Sequence, residues 1–295
     1  MKKRLLLTGT TGFIGNLFLK YALSKNFEII DIIRKKSSNI NKISKLRNKY
    51  NKNYKTVIFS KSKDLQKLKN YNFECFINFA TLYKNNHNFE DIPNLVKSNI
   101  IFPTEIVDII HQKTKKIINF GTMMQHTNNS DHNPSNLYSS SKSAFEMILK
   151  FFEKKNKKLK IYNIKFYESF HEIDQRKKLI PTLITNYKKN KITYLISKNL
   201  ELNIIHVEKV IEAIMILLKK KNLNSGSFHL LNKKNTNISK LINKFNGRNK
   251  KKIKVYFLKS KRLHKPKING FKLLPGWKNN LDIEKNILKI LENEN

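Results

Sequence analysis

Cysteine is almost absent from this chain, since Cys75 is the only one among 295 residues. That scarcity excludes a disulfide framework and any multi-cysteine metal site. Long apolar runs are absent too, so no segment of the sequence is expected to span a membrane. The start, Met1–Leu7, has the basic residues and leucines of a secretory signal, but no small-residue cleavage site follows. We therefore expect a cytoplasmic protein without a membrane partner.

Acidic residues are also scarce. Asp and Glu number 21 against 60 Lys and Arg, which gives a net charge of +39. Such a charge indicates either a wide phosphate-binding surface, as in nucleic-acid-binding proteins, or compositional drift. Drift fits a chain that is crowded with Asn and Ile and holds only 8 Gly and 6 Pro. The lysines are scattered, are not interleaved with aromatic residues, and accompany no nucleic-acid-binding motif. We favour drift and expect no nucleic acid as a partner.

Hydrophobic residues make up 39% of the chain, enough for a sizeable core. In the first half, short apolar runs alternate with amphipathic segments, a pattern typical of βαβ units. This pattern predicts an α/β fold with a Rossmann-type, doubly wound parallel sheet. The predicted strands are Arg4–Thr8, Glu28–Ile33, Thr56–Ser60, Cys75–Ala80, Lys116–Phe120 and Lys160–Phe166, and the predicted helices are Gly15–Ser24, Pro103–Lys113 and Ser139–Glu153.

After Ser169 the alternation is less regular, which indicates a second, smaller α/β lobe. We predict a nucleotide-binding domain over residues 1–165 and a substrate-binding lobe over residues 166–295, with 202–218 returning to the first domain. The predicted strands here are Leu202–Val207 and Ser227–Leu231, and the predicted helices are Leu179–Tyr187, Val210–Leu218, Ile238–Phe245 and Ile283–Leu291.

A glycine-rich turn, Thr8–Gly15, lies directly between the first predicted strand and the first helix. Gly9 permits a tight exit from the strand, Gly12 permits close approach of a pyrophosphate, and Gly15 permits close packing of the helix. The N–H groups at the start of the helix would then meet the phosphates. A strand-to-helix turn favours glycine in any case, but the flanking elements favour dinucleotide binding.

The end of the second strand distinguishes NAD from NADP. An acidic residue there binds the ribose hydroxyls of NAD, whereas Asp31 lies earlier, inside the strand. Arg34 follows the strand, with Lys35 and Ser37 behind it, and a guanidinium suits a 2′-phosphate. We therefore predict NADP. NAD stays possible, because basic residues are abundant throughout the chain.

A tyrosine and a lysine, Tyr138 and Lys142, lie four residues apart and therefore on one face of the long helix. A phenol, with a pKa of about 10, becomes an effective acid–base group when a neighbouring ammonium stabilises its phenolate. Thr122 follows the strand that ends at Phe120, at the sheet edge where ligands bind. Its hydroxyl can bond a substrate oxygen that Tyr138 protonates. The alternatives are a chance Tyr–Lys spacing and a turn-capping role for Thr122.

Histidines are dispersed, and the 8 of them show no paired metal-binding spacing. We therefore predict no metal site. His126 and His171 are interpreted as surface or capping residues, and Cys75 as a packing residue of its strand.

These motifs together resemble one family, the extended short-chain dehydrogenase/reductases that act as NAD(P)-dependent nucleotide-sugar epimerases, dehydratases and reductases. Within it, Ile118–His126 and Asn133–Tyr138 are most similar to CDP-abequose-synthase-like 4-keto-sugar reductases. The matching residues are Thr8–Gly15, Ile77–Thr81, Asn99, Gly121–Thr122, Tyr138, Lys142 and Leu274–Trp277.

The resemblance implies hydride transfer between a nicotinamide and a sugar carbon, in an enzyme that is often a homodimer. The implied catalytic residues are Thr122, Tyr138 and Lys142. The implied cofactor-binding residues are Gly9, Thr11, Gly12, Phe13, Ile14, Gly15, Arg34, Phe79, Ala80, Thr81, Asn99, Tyr138 and Lys142. The implied substrate-binding residues are Tyr83, Thr122, Met123, Glu168, Arg176 and Lys178.

Departures from the family pattern narrow the range of reactions that we expect this chain to catalyse. Dehydratases of the family carry Asp-Glu after the catalytic threonine, whereas Met123-Met124 stands here and cannot move protons. We expect 4-keto reduction or C4 epimerisation of a nucleotide-diphospho-sugar for surface-polysaccharide synthesis. Phe170-His171-Glu172 replaces the family's Tyr-Gly-Pro turn, so the sugar and the nucleotide are not identified. Arg176 and Lys178 are the expected diphosphate ligands.

One alternative belongs to another class, a non-catalytic Rossmann protein that binds RNA or a protein partner through its basic surface. The retention of Thr122, Tyr138 and Lys142 argues against it.

Overall fold

The computed structural model describes residues 3–35, 40–127, 133–258 and 266–293. Its strands are β1 (Arg4–Thr8), β2 (Glu28–Arg34), β3 (Tyr54–Phe59), β4 (Phe73–Asn78), β5 (Thr114–Phe120), β6 (Lys160–Lys165), β7 (Glu168–Phe170), β8 (Thr193–Leu195), β9 (Glu201–Leu202), β10 (Ile204–His206), β11 (Gly226–His229), β12 (Thr236–Asn237) and β13 (Val255–Phe257). Its α-helices are α1 (Phe13–Ser24), α2 (Ile40–Lys49), α3 (Ile92–Val96), α4 (Phe102–Ile110), α5 (Leu137–Lys155), α6 (Leu179–Lys188), α7 (Val207–Lys219), α8 (Ile238–Arg248) and α9 (Ile283–Glu292).

Within the described residues, seven strands form the central sheet, in the order β11-β6-β5-β4-β1-β2-β3. From β6 to β3 every neighbouring pair is parallel. Most residues of β1, β2, β4, β5 and β6 are buried, as expected for strands covered by helices on both faces. The predicted Rossmann-type α/β fold is confirmed. The chain order reverses between β1 and β4, and ligands of such sheets bind where these strands end.

The chain divides into two compact units, residues 1–165 with 214–228 and residues 166–213 with 229–295. The segment that returns to the first unit is therefore later than the predicted 202–218. Ile204–His206 is apolar enough for a central strand, but it pairs with Glu168–Phe170 within the second unit. The edge of the central sheet beside β6 is taken by β11.

The described part of the second unit contains three two-stranded sheets. The pairs β7–β10 and β8–β13 are parallel, and β9–β12 is antiparallel. Helices α6, α8 and α9 supply Leu183, Leu241, Phe245 and Ile287 to a buried core that includes Phe170 of β7. This unit therefore has a hydrophobic core of its own. Among the described residues, no helix is both long and apolar enough to cross a membrane.

The turn between β1 and α1 is packed too closely for side chains at two positions. Gly9 has a φ of +70°, and a Cβ there would lie 2.5 Å from the backbone nitrogen of Ala80. A Cβ at Gly15 would lie 2.5 Å from the carbonyl oxygen of Gly9. Helix α1 therefore packs directly on the turn, and the turn packs directly on the chain that leaves β4.

Gly15→Ala is expected to destabilise the protein by about 1–3 kcal/mol, because the added methyl group overpacks a rigid backbone contact. Gly247→Ala in α8 is the matched control, since a Cβ there meets nothing within 4 Å. The control should be neutral or gain about 0.5–1 kcal/mol from its helix propensity. Urea denaturation followed by circular dichroism measures both free energies, and equal effects would contradict the packing argument.

Candidate active site

The start of α1 provides a site that fits a pyrophosphate. Gly12 is exposed, begins the helix without a side-chain cap, and donates its N–H to the Gly9 carbonyl oxygen at 2.9 Å. No acidic residue lies in the first turn, so the positive end of the helix is not neutralised locally. A Cβ at Gly12 would meet only the Gly9 carbonyl oxygen, at 3.1 Å. The backbone here is open to a phosphate group, while Thr11, Phe13 and Ile14 are half-buried beside it.

The chain that leaves β4 lies against this turn, and its aromatic side chain is used for packing. The ring of Phe79 lies 5.0 Å from that of Phe120 and 5.5 Å from that of Phe18. The backbone of Phe79 and Ala80 is the part of this segment that lies against the turn. The structure thus places these two predicted residues next to Gly9, as the sheet topology requires.

Asn99 joins the loop after β4 to helix α5. It accepts hydrogen bonds from the Thr81 hydroxyl at 3.2 Å and the Leu82 N–H at 2.8 Å. Its amide nitrogen donates to the Ser141 hydroxyl on α5 at 3.0 Å. Asn99 is buried within a π-helical segment, Lys97–Ile101, a geometry frequent at functional sites. The predicted residues Thr81 and Asn99 are therefore in direct contact.

Tyr138 and Lys142 lie in the first two turns of α5, which Asn136 caps with its side chain. Both residues are buried, at 8% and 1% exposure. The ring of Tyr83 meets that of Tyr138 edge-on at 4.9 Å, so a predicted substrate residue touches the predicted acid–base residue. Met123, the other apolar substrate candidate, is 2% exposed. Tyr83 is the more accessible of the two.

The pKa of the buried Lys142 side chain is set by two opposing effects. Burial lowers its pKa to about 8, and the negative charge of Glu146, one turn further along α5, opposes that shift. At neutral pH most Lys142 side chains are therefore still protonated. A buried ammonium at this place stabilises negative charge on neighbouring groups more strongly than an exposed one would.

Thr122 is oriented by a network that sequence reasoning missed. Its hydroxyl oxygen accepts the Met124 N–H at 3.3 Å, so the hydroxyl hydrogen can be donated elsewhere. Its own N–H donates to the side-chain oxygen of Gln125 at 2.8 Å. Gln125 in turn donates to Glu146 at 3.1 Å, and Glu146 pairs with Lys165 at 2.9 Å. Glu146 continues the four-residue spacing of Tyr138 and Lys142, a signal that could have identified it.

Four buried polar side chains form a row across the sheet near the same strand ends. The Thr8 hydroxyl donates to Asn78 at 2.8 Å, Asn78 donates to Asn119 at 3.2 Å, and Asn119 donates to Asn163 at 3.0 Å. Each pair is directly opposite in the strand register. Because every bond is in a buried environment, the row fixes the relative positions of β1, β4, β5 and β6.

Asp31 is enclosed within β2. It is fully buried and accepts hydrogen bonds from the Thr10 hydroxyl at 2.5 Å and the Tyr54 hydroxyl at 2.7 Å. Burial raises the pKa of Asp31 to about 7, although both hydrogen bonds act to lower it. The carboxyl is thus not placed to bind ribose hydroxyls. Arg34 is exposed at the last position of β2, and Ser37 lies outside the described residues.

The predicted substrate residues of the second unit form two separate ion pairs. Lys178 donates to Glu168 at 2.8 Å, so these two predicted residues are together. The Arg176 guanidinium instead binds both carboxylate oxygens of Asp174, at 2.9 and 2.6 Å, and the Ser169 carbonyl oxygen at 3.1 Å. Both cations are therefore already oriented by acidic partners.

Two histidines have more specific partners than predicted. His126 Nε2 lies 3.0 Å from Lys165 Nζ, within the network around Thr122. His171 lies in a cluster with Glu172 and His206, whose ligand-type atoms are all within 4.8 Å of one another. No metal site is predicted from the sequence, because His206 lies far along the chain from the adjacent residues His171 and Glu172.

A family model, the NAD dependent epimerase/dehydratase family, matches residues 5–230. The chain belongs to this family. Two curated relatives are CDP-abequose synthases, from Salmonella muenchen (22% identical over 237 residues, 77% of this chain and 74% of the relative) and from Yersinia pseudotuberculosis (25% identical over 222 residues, 74% of each chain).

Among solved structures, the fold is similar to that of a mutant UDP-glucuronic acid 4-epimerase from Bacillus cereus, solved with UDP-4-deoxy-4-fluoro-glucuronic acid and NAD. The TM-score is 0.80 at 17% identity, over 98% of this chain and 99% of that one. An NAD-dependent family agrees with a turn between β1 and α1 that is open to a pyrophosphate.

The Asp31 carboxyl is expected to make stability depend on pH. Its pKa is raised from 3.8 to about 7 in the folded state. Its stabilising contribution is therefore complete below about pH 4 and is lost as the pH rises through about 7. Asp31→Asn cannot ionise, so it should gain stability relative to the wild type between pH 4 and pH 8, by up to about 4 kcal/mol. Urea denaturation across this range measures the difference.

Asp64→Asn is the control, because backbone N–H groups of Lys61 and Ser60 lower the pKa of Asp64. That variant should lose stability relative to the wild type above the ordinary carboxyl pKa, so its trend with pH has the opposite sign. Parallel trends for the two variants would contradict the assignment.

Proposed function

We propose that this family member is an NADP-dependent enzyme that reduces a 4-keto group of a nucleotide-diphospho-sugar, with C4 epimerisation as the related alternative. The observation that carries the proposal is the geometry around Tyr138. A buried lysine lies one helical turn away, and the exposed ring of Tyr83 lies against it. The two CDP-abequose synthase relatives support the reductive assignment and a role in surface-polysaccharide synthesis.

The proton chemistry follows from the buried groups. When NADPH is bound, its nicotinamide supplies the hydride for C4 of the sugar. Tyr138 donates its phenolic proton to the carbonyl oxygen, and Lys142 stabilises the phenolate that results. Thr122 donates a hydrogen bond to the same oxygen, since its own oxygen already accepts the Met124 N–H. Ketone, hydride and proton together give the alcohol.

Dehydration is outside this proposal. In the family pattern the residues that eliminate water follow the catalytic threonine, and here Met123 and Met124 occupy those positions. Thioether side chains neither donate nor accept protons at neutral pH. The site can therefore transfer one hydride and one proton, but it lacks the acid–base pair for elimination.

The preference for NADP is supported by the second strand. Apart from Glu28 at its first position, the only acidic residue of β2 is Asp31. The Asp31 carboxyl already accepts hydrogen bonds from Thr10 and Tyr54. Arg34 is exposed at the strand end, where a 2′-phosphate would lie, and its guanidinium offers two parallel donors. A ribose 2′-hydroxyl would find no carboxylate acceptor within β2.

For the substrate, we assign Arg176 and Lys178 to the diphosphate, with Glu168 holding Lys178. Phosphate oxygens would compete with Asp174 for the Arg176 guanidinium, so binding reorganises an existing ion pair. A panel of CDP-, dTDP-, UDP- and GDP-linked 4-keto sugars, assayed with NADPH, identifies the nucleotide. Turnover of none of them would overturn the substrate class.

A homodimer is part of the proposal. Met147 and Phe151 lie one turn apart on α5, with 54% and 58% exposure, on the helix that carries Tyr138. Burial of such a stripe against a second copy would remove apolar area from water. The molar mass in solution, measured by light scattering, tests this.

Tyr138→Phe should lower kcat by roughly 100-fold or more, because it removes the proton donor and leaves the helix unchanged. NADPH affinity, measured by fluorescence titration, should be nearly unaffected. Tyr50→Phe, a tyrosine outside α5, is the matched control and should keep full turnover. Retained activity in Tyr138→Phe would refute the mechanism.

Arg34→Ala should weaken NADPH binding by about 10- to 100-fold, the value of a charge-assisted contact of about 1.5–3 kcal/mol. NADH binding should change little, since it has no 2′-phosphate. Lys35→Ala, at the adjacent exposed position, should have a smaller effect on NADPH. Equal losses for both cofactors in Arg34→Ala would exclude the assignment of Arg34 to the 2′-phosphate.

A further inference from the structure

A cluster in the second unit, His171, Glu172 and His206, is used by none of the chemistry above. Strands β7 and β10 pair in parallel, with Phe170 directly opposite His206. His171 and Glu172 follow β7 immediately, so the ends of the two strands bring all three side chains together. His206 is 3% exposed and fixed, His171 is 17% exposed, and Glu172 is 44% exposed.

The donor atoms have the separations of a coordination sphere. Glu172 Oε2 lies 3.0 Å from His171 Nδ1 and 3.1 Å from His206 Nε2. All three atoms lie within 4.8 Å of one another. Tetrahedral zinc places its ligands about 2.0–2.1 Å from the ion, and hence about 3.3 Å apart. The two imidazole rings are stacked, with centroids 4.9 Å apart, so the more exposed His171 ring must turn before both nitrogens point at one ion.

The Glu172 carboxylate oxygen lies between two imidazole nitrogens, in contacts where protonated rings donate to it. A divalent cation can take the place of those protons, because it binds the same nitrogen and oxygen lone pairs.

We propose that His171, Glu172 and His206 form a binding site for a divalent transition-metal ion, with zinc as the preferred occupant. Two imidazoles and one carboxylate suit Zn²⁺ and its neighbours, whereas Mg²⁺ and Ca²⁺ prefer oxygen ligands alone. Three protein ligands leave a fourth position for water. Because Glu172 is partly exposed, an ion has access from solvent.

Glu208 adjoins the other side of the His206 ring. Its Oε2 lies 3.7 Å from His206 Nδ1, and its backbone N–H donates to the same nitrogen at 3.3 Å. Binding of an ion to Nε2 moves the ring proton to Nδ1, so this backbone hydrogen bond must open before the Glu208 carboxylate accepts the proton. A carboxylate that orients a metal-binding histidine in this way is a common arrangement.

Two of the proposed metal ligands depart from the family pattern. His171 and Glu172 stand where the family pattern has glycine and proline, neither of which binds a metal through a side chain. An ion would clamp the segment after β7 to the end of β10. That segment leads directly into Asp174 and Arg176, so the ion would restrain a pair already assigned to the substrate diphosphate.

The test uses full-length, tag-free protein that has been stripped with EDTA and titrated with ZnCl₂ by calorimetry. We expect one equivalent of Zn²⁺ to bind and to raise the melting temperature, and Co²⁺ to give the visible absorption of a nitrogen-ligated site. Glu172→Gln and His171→Ala should each weaken Zn²⁺ binding by at least about tenfold. His87→Ala removes an exposed histidine of the first unit and is the matched control.

Circular dichroism of the metal-free variants establishes that each is folded. We expect them to fold because both substituted side chains are partly exposed. Absence of Zn²⁺ binding to the wild type would overturn the proposal. Equal Zn²⁺ binding by the wild type and all the variants would also overturn it, since that result indicates an adventitious ion only. So would binding of Mg²⁺ as tight as that of Zn²⁺. None of these readouts involves turnover, so a failure here is distinct from a failure of the proposed reductase activity.

Discussion

The close approach of the β1–α1 turn to the chain leaving β4 is the constraint on which the rest of the structure depends. The backbone at Gly9 lies against Phe79 and Ala80 with no room for a methyl group, and α1 packs on Gly9 through Gly15. This contact places the start of α1 at the point where the strand order reverses. A single added carbon at either glycine would separate the helix terminus from the sheet edge that forms the site.

Near the start of α1, buried polar side chains form hydrogen bonds with one another. Thr8 begins a row of side-chain hydrogen bonds across four strands, and Asn99 ties the β4 loop to α5. On α5, burial lowers the pKa of Lys142 to about 8, and Glu146 keeps the ammonium form accessible. A buried and polar surrounding strengthens each of these electrostatic contacts, because it screens charge less than water does.

Much of the fold was predictable because its signals are local. The strand Arg4–Thr8 has the predicted bounds, and the apolar runs of the other central strands follow from burial on both faces of a parallel sheet. The return of 214–228 to the first unit was not predictable, since Ile204–His206 is as apolar as a central strand. In the structure β11 lies beside β6 at the edge of the central sheet, whereas β10 pairs with β7.

The sequence by itself determined the glycine turn, the spacing of Tyr138 and Lys142 on one helix face, and the absence of an acid at the end of β2. Each of these depends on neighbours within a few residues. Only the tertiary structure decided that Asp31 is enclosed by Thr10 and Tyr54, and that His171 meets His206. Such contacts depend on strand order and register. Pairing between segments that are distant in the chain sets both of them, and a local sequence pattern does not.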